Sequence, residues 1–296
     1  MKVLILGSRG MLGHDLLRAF ANSGHETVAA GRAELDITDA RAVSRFIQRL
    51  RPRWVILAAA YTRVDDCESN RDLAFAVNAQ GPKQVASACR EANAGLCFVS
   101  TDYVFDGGKA TPYTEEDATN PQNVYGESKL AGEKNVREVC DEFLIVRSSW
   151  LYGLHGKNFV ETILEKAQSQ PELNVVDDQV GAPTWTADLA AGIVSLVEKG
   201  AAGVVHVTNA GSCSWYEFAK HILQLGGVTG VAVHPVSSGQ FQAPARRPAY
   251  SRLASGRFQK LAGHALQPWQ HALAQYLLER KKQAATGKFF PDGKDG

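Results

Sequence analysis

The sequence predicts an α/β protein built on a doubly wound parallel sheet, with a smaller C-terminal α/β domain. Three observations carry this. Short apolar runs alternate with longer helical patterns over about the first half of the chain. These runs are continuously apolar, as strands covered on both faces must be. The first run ends in a glycine-rich turn that opens a helix. Strand–helix alternation at this spacing gives a parallel sheet. Right-handed crossovers then put the strand C-termini on one edge, where ligands bind.

In order, strands are predicted at residues 2–7, 26–30, 54–60, 95–100 and 143–148, with helices at 12–23, 39–50, 72–93 and 125–140 between them. Beyond about residue 150 the alternation weakens. Helices at 158–168, 187–198 and 215–225 mix with short strands at 173–176, 203–207 and 231–235. A Pro/Arg-rich loop follows at 242–248, and the last helix covers 269–280. The polar, Gly-containing tail 281–296 reads as disordered. No internal repeat is visible.

Composition excludes several classes. The 296 residues suffice for one large domain or two modest ones. A formal net charge of +1 gives no bulk electrostatic reason to expect nucleic acid or an anionic membrane as partner. No apolar run reaches the roughly 18 residues that span a bilayer. The N-terminal run Val3-Leu4-Ile5-Leu6 is too short for a signal peptide and fits a buried strand. The five cysteines are odd in number, and no two form a Cys-x-x-Cys pair. That argues against a disulfide framework or a zinc site and for a reducing, cytoplasmic setting.

The glycine turn is Gly7-Ser8-Arg9-Gly10-Met11-Leu12-Gly13. Gly7 suits a tight turn, Gly10 lets backbone approach a pyrophosphate, and Gly13 lets the helix pack close to the strand. The helix N-terminus offers N–H groups and partial positive charge to phosphates. We read this as a Rossmann-type dinucleotide site. Residues 1–155 then form the dinucleotide-binding domain, with 186–210 packing back on it, and residues 156–280 form the substrate domain. At the end of the second strand, where an acidic residue would bind the ribose hydroxyls of NAD, the sequence has Gly31-Arg32-Ala33. Arg32 is suited to a 2′-phosphate, so NADPH is expected, with NADH tolerated. Thr38 or Asp39 is the N-cap of the next helix.

The third strand ends in small residues, Ala58-Ala59-Ala60, before Tyr61 and Thr62, where a flat cofactor can lie against the sheet. The fourth ends Ser100-Thr101-Asp102-Tyr103. Tyr125 and Lys129 then share one helix face four residues apart. A nearby ammonium stabilises a phenolate and makes Tyr125 a usable general acid or base.

These residues carry a resemblance. The chain resembles the extended short-chain dehydrogenases/reductases and, within them, the dTDP-4-dehydrorhamnose reductase family. The matching stretches are GSRGMLG, LDITD, AAAYTRVDDCE, VNAQGP, STDYVFDG, NVYGESKLAGE, VRSSWLYG, DDQVGAPTWTADLA and ARRPAYSRL, which span about residues 1–270. The glycine turn and the Tyr-x-x-x-Lys element belong to the whole superfamily; STDYVFDG, QVGAPTWTADLA and RRPAYSRL are more specific. The resemblance implies that Gly10, Met11 and Leu12 contact the cofactor phosphates, that Asp36 and Ile37 flank the adenine, and that Ala60, Tyr61 and Thr62 line the nicotinamide side. It implies that Thr101 holds the substrate carbonyl beside Asp102, that Tyr125 donates the proton, and that Lys129 binds the nicotinamide ribose and tunes Tyr125. Asn78 would support Lys129 through water, Trp150 would pack on the sugar, and Arg246 and Arg247 would lie near the nucleotide diphosphate. The departure is Gly31-Arg32, where some members carry an acidic residue.

The implied activity is reduction of the C4 ketone of a dTDP-linked 4-keto-6-deoxy sugar, dTDP-4-dehydro-L-rhamnose, to dTDP-L-rhamnose. The resemblance admits Mg²⁺ without placing its ligands and leaves a homodimer open. Two rivals remain at this stage. One is an epimerase or dehydratase on the same fold. A dehydratase would need paired acid/base carboxylates, and Tyr103 stands where the second would fall. The other is a non-catalytic regulatory subunit, against which the intact Thr101, Tyr125 and Lys129 set speaks.

Overall fold

The computed structural model of the chain describes residues 1–241 and 243–285. β1 (Lys2–Leu6), α1 (Met11–Asn22), β2 (Glu26–Ala30), α2 (Ala40–Leu50) and β3 (Trp54–Leu57) alternate as the sequence predicts. Two short helices follow, α3 (Val64–Ser69) and α4 (Arg71–Phe75), then a π-helical turn at Ala76–Gln80 and α5 (Gly81–Glu91). β4 (Gly95–Thr101), α6 (Val124–Val139) and β5 (Phe143–Ser148) complete the first half. The second half contains β6 (Leu151–Tyr152), α7 (Phe159–Ser169), β7 (Glu172–Val176), β8 (Val180–Gly181), β9 (Thr184–Trp185), α8 (Thr186–Glu198) and β10 (Gly203–His206). It ends with β11 (Cys213–Ser214), α9 (Trp215–Gly226), β12 (Ala232–Val236), α10 (Gly256–Ala262) and α11 (Trp269–Ala285).

Six strands form one parallel sheet in the order β10-β5-β4-β3-β1-β2. The chain leaves β1 toward β2 and returns to its other side as β3. This reversal creates the crevice where such sheets bind ligands. Alternate side chains explain the unbroken apolar runs. Val3, Ile5, Trp54, Ile56 and Cys97 face one way, onto α1 and α8, where Leu16, Phe20, Leu189 and Ile193 meet them. Leu4, Leu6, Val55, Leu57, Leu96 and Phe98 face the other way, with Val43, Ile47, Val85 and Val136 from α2, α5 and α6. The segment from α8 to β10 thus returns to the large sheet. A separate core joins α7, β7, α9 and α11 through Val160, Ile163, Leu173, Phe218, Ile222, Trp269 and Tyr276. Within it the buried Glu161 carboxylate accepts from Arg280 at 2.7 Å and from the Tyr276 hydroxyl at 2.5 Å.

The structure corrects several boundaries. The helix expected over 72–93 is broken by the π turn and restarts at Gly81-Pro82, where proline is tolerated because first-turn N–H groups lack partners in any case. α3, α10 and the two-residue strands are too short to leave a periodic signal. Asp39, not Thr38, caps α2, accepting from Ala42 N at 3.0 Å, while Thr38 turns to Asp36. The last helix runs on to Ala285 through good helix formers rather than stopping at Arg280. The rest of the expected disordered tail, 286–296, lies outside the described residues. Among the described residues no helix is long and apolar enough to cross a membrane.

Candidate active site

The glycine turn is forced by close approach. Gly7 has φ +83°, and a Cβ there would lie 2.5 Å from the Ala59 nitrogen. At Gly13 a Cβ would sit 2.2 Å from the Gly7 carbonyl, so larger residues would push α1 off the loop. Gly7 N and Ser8 N both donate to Ala30 O, which pins the turn to the end of β2. α1 begins after Gly10, which has no side chain to cap it. The first-turn N–H groups are therefore left for a ligand. This cradle fits the pyrophosphate of a nicotinamide dinucleotide.

From here a cavity of about 1820 Å³ follows the C-terminal edge of the sheet. Its wall gathers Gly7, Gly10, Met11, Leu12, Gly13, Arg32, Asp36, Ile37, Ala60, Tyr61, Thr62, Thr101, Asp102, Tyr125, Lys129 and Trp150, brought together from remote stretches of chain. Two ion pairs stand at the end of the cavity beside β2. Arg32, with its side chain 82% exposed, lies 3.8 Å from Asp36. Arg9 pairs with Glu34, whose other oxygen accepts from Gly31 N at 2.8 Å. Neither Arg9 nor Glu34 stood out in the sequence as a site residue, although Arg9 lies inside the glycine motif itself.

At the other end Thr101 closes β4. Its hydroxyl donates to Asp102 Oδ1 at 3.1 Å and accepts from Tyr103 N at 3.2 Å. Asp102 is 2% exposed, and its Oδ2 has no hydrogen-bond partner in the protein. Burial pushes this carboxyl up to about 7, only partly offset by neighbouring hydroxyls. Asn123 caps α6 by accepting from Gly126 N at 2.8 Å. Tyr125 follows two residues later, its ring edge-on to Tyr103. Burial raises the Tyr125 phenol, and the Thr101 hydroxyl opposes that rise.

Lys129 is turned differently from the expectation that it tunes Tyr125. It is 2% exposed; its Nζ donates to Val99 O at 2.7 Å and sits 4.1 Å from the centre of the Phe98 ring. Burial pushes it down to about 7 against the pull of Glu133. Glu133 is itself held by Arg147 at 2.6 and 2.9 Å and by Ser100 at 2.5 Å. The Asn78 amide accepts from Tyr61 N and donates to Tyr61 O and Ser128 Oγ. It fastens the Ala60–Thr62 stretch to α6.

Trp150 adopts φ +47°, a strained region for a side-chain-bearing residue. Its indole stacks on Trp215 with ring centroids 3.5 Å apart and 5° between planes. A Cβ on Gly181 would lie 2.4 Å from that indole. Both tryptophans line the cavity, and Trp215 was missed in the sequence. Its signal was present as the residue after Ser214, which with Glu217 forms a capping box. The Arg247 guanidinium binds Asp65 of α3 through two bonds of 2.8 and 2.9 Å. It is not itself part of the cavity wall but hydrogen-bonds Tyr103, which is. Arg246 likewise is off the wall; its carbonyl accepts from Asn123. Among the described residues no three His, Cys, Asp or Glu side chains converge to hold a metal ion, so nothing places the Mg²⁺ that the resemblance admits.

Comparison with known proteins agrees with this geometry. A family model described as RmlD substrate binding domain matches residues 1–282. A dTDP-4-dehydrorhamnose reductase of Streptomyces griseus is 42% identical over 278 residues, covering 92% of this chain and 91% of its own. The crystal structure of a dTDP-4-dehydrorhamnose reductase from Clostridium acetobutylicum superposes with a TM-score of 0.92 at 40% identity, covering 95% of this chain and all of that one. The Bacillus anthracis dTDP-4-dehydrorhamnose reductase, solved in complex with NADP, gives a TM-score of 0.89 at 40% identity, covering 94% of this chain and 99% of that one.

Proposed function

The chain belongs to the RmlD substrate binding domain family, together with the dTDP-4-dehydrorhamnose reductases, and on that premise we propose that it reduces the C4 ketone of dTDP-4-dehydro-L-rhamnose to give dTDP-L-rhamnose. NADPH is the preferred reductant and NADH is also accepted. The observation that carries this reading is one cavity with a phosphate cradle at one end and Thr101, Tyr125 and Lys129 at the other.

A nicotinamide dinucleotide, when bound, supplies the hydride for C4. The N–H groups of Met11 and Leu12 hold its phosphates, Asp36 and Ile37 border the adenine, and Arg32 with Arg9 meets a 2′-phosphate. Ala60, Tyr61 and Thr62 border the nicotinamide side, and Lys129 serves the adjoining ribose. Tyr125 gives its phenolic proton to O4 as charge develops there. The upward push from burial keeps that proton in place until it is needed. Thr101 donates to the same oxygen, because a donor aimed at developing charge lowers the barrier. Asp102 assists because burial pushes its carboxyl up to about 7, so about half of it still carries a proton at pH 7. As a protonated acid it can donate to Thr101 Oγ1, which frees the Thr101 hydrogen for O4. Trp150, backed by Trp215, gives the sugar an apolar wall. The dTDP moiety, far from C4, contributes the binding energy that orients the ketone.

The test is isotopic. Reaction with NADPH deuterated at the transferred position should yield dTDP-L-rhamnose carrying deuterium at C4, read by NMR. Product with no deuterium, or an enzyme that inverts or dehydrates sugars while recycling a bound cofactor, would favour the epimerase or dehydratase reading.

A further inference from the structure

We propose that Glu68 is a positioning residue that fixes the first turn of α6 and so aims Tyr125 at Thr101; the proposal rests on the acid role given to Tyr125 above. A helix leaves its first N–H groups without intrahelical partners. In α6 the Gly126 N–H is taken by Asn123, the helix's own cap. The Val124 N–H is taken from outside, by Glu68 Oε1 at 2.9 Å, a residue 56 positions earlier on α3. Tyr125 lies between these two anchored groups. Cys67, next to Glu68, is fully buried in a cluster with Val124 and Tyr125, so α3 and the start of α6 meet through both packing and a hydrogen bond.

The six residues of α3 are too few to hold a fixed position by helix formation alone. A ring of contacts does so instead. At its first turn Asp65 accepts from Ala245 N at 3.2 Å and binds the Arg247 guanidinium. Asn123 in turn donates to Arg246 O at 2.7 Å. The ring therefore closes through α3, residues 245–247 and the cap of α6, and the bond from Val124 to Glu68 is its link to the residue beside Tyr125. A carboxylate at a helix N-terminus is also electrostatically favoured. The stretch AAAYTRVDDCE, which brings Asp65 and Glu68 three residues apart, thus has a structural meaning beyond lining the nicotinamide side.

The experiment compares Glu68→Ala with Glu68→Gln. The glutamine carbonyl can accept the same hydrogen bond without the charge. Glu68→Ala should lower kcat about ten-fold, the scale of a small misplacement of a reacting group, with KM for the sugar nucleotide and Kd for NADPH near the parent's. Glu68→Gln should restore kcat to within about two-fold of the parent, since the hydrogen bond and not the charge does the positioning. Amide hydrogen exchange over residues 124–128 is read in parallel and needs no substrate: it should quicken in Glu68→Ala and recover in Glu68→Gln. A Glu68→Ala enzyme with parental kcat, exchange unaltered in that variant, or a Glu68→Gln enzyme as slow as the alanine variant with a displaced pH–rate profile would each overturn the proposal. A parent inactive on dTDP-4-dehydro-L-rhamnose would instead refute the functional reading, and the exchange comparison would still decide the role of Glu68.

Discussion

Replacing Asp102 with Asn should make the protein's stability less sensitive to pH, by an amount the structure fixes. In the unfolded chain this carboxyl ionises near its ordinary value of 3.8; in the folded protein burial raises it to about 7. Below pH 3.8 both states carry the proton and no penalty exists. Between 3.8 and 7 only the unfolded chain releases it, so each pH unit removes about 1.36 kcal/mol of stability. Above 7 the penalty is constant. From pH 5.5 to 8 the charge is forced into the folded protein over about 1.5 units, which corresponds to about 2 kcal/mol. Asn keeps the shape, still accepts from Thr101, and never ionises. The unfolding free energy of Asp102→Asn relative to the parent should therefore rise by about 2 kcal/mol between these pH values. Other titrating groups cancel in that difference. Urea unfolding of both proteins at both pH values, with matching m-values, measures it. A difference that stays constant with pH would show that Asp102 ionises as it does in water, and the proton-sharing role given to it beside Thr101 would fall.

Three further outcomes are expected. Tyr125→Phe should retain fold and NADPH affinity while kcat falls roughly 10²–10⁴-fold, the usual contribution of a positioned acid; an undiminished kcat would remove Tyr125 from the chemistry. Fluorescence titration should show the parent binding NADPH more tightly than NADH and Arg32→Asp reversing the order. The 82% exposure of the Arg32 side chain holds the effect to about ten-fold or less, because solvent screens the contact. An unaltered NADPH/NADH ratio in Arg32→Asp would move selectivity to Arg9 and Glu34. Gly181→Ala would place a Cβ 2.4 Å from the Trp150 indole, so the ring must shift and KM for the sugar nucleotide should rise well before kcat changes. An unchanged KM would mean that the sugar does not use the Trp150 wall.

The sheet was readable because both its faces are covered. Alternation of facing, from Val3 to one side and Leu4 to the other, leaves an unbroken apolar run. The glycine motif and the spacing of Tyr125 and Lys129 were readable for the same local reason: one turn and one helix face fix them. What stayed hidden depends on long-range pairing. No local pattern marks Asp65 as the partner of Arg247, 182 positions on, or Glu68 as a cap for α6. The break near Ala76–Gln80 is masked by helical periodicity that runs through it. The orientation of Lys129 toward Val99 follows from the depth of its burial, which spacing cannot report. Trp215 gave no sign of being a cavity residue because it opens α9 while Trp150 lies in the turn between β5 and β6, and only folding stacks the two rings.

The central claim is tested most directly by following NADPH oxidation with dTDP-4-dehydro-L-rhamnose beside UDP- and GDP-linked 4-keto sugars at equal concentration. Rapid oxidation with the dTDP substrate, yielding dTDP-L-rhamnose, and much lower kcat/KM with the other two is the result the account predicts. Oxidation with none of them, or a preference for a UDP- or GDP-linked ketone, would contradict it.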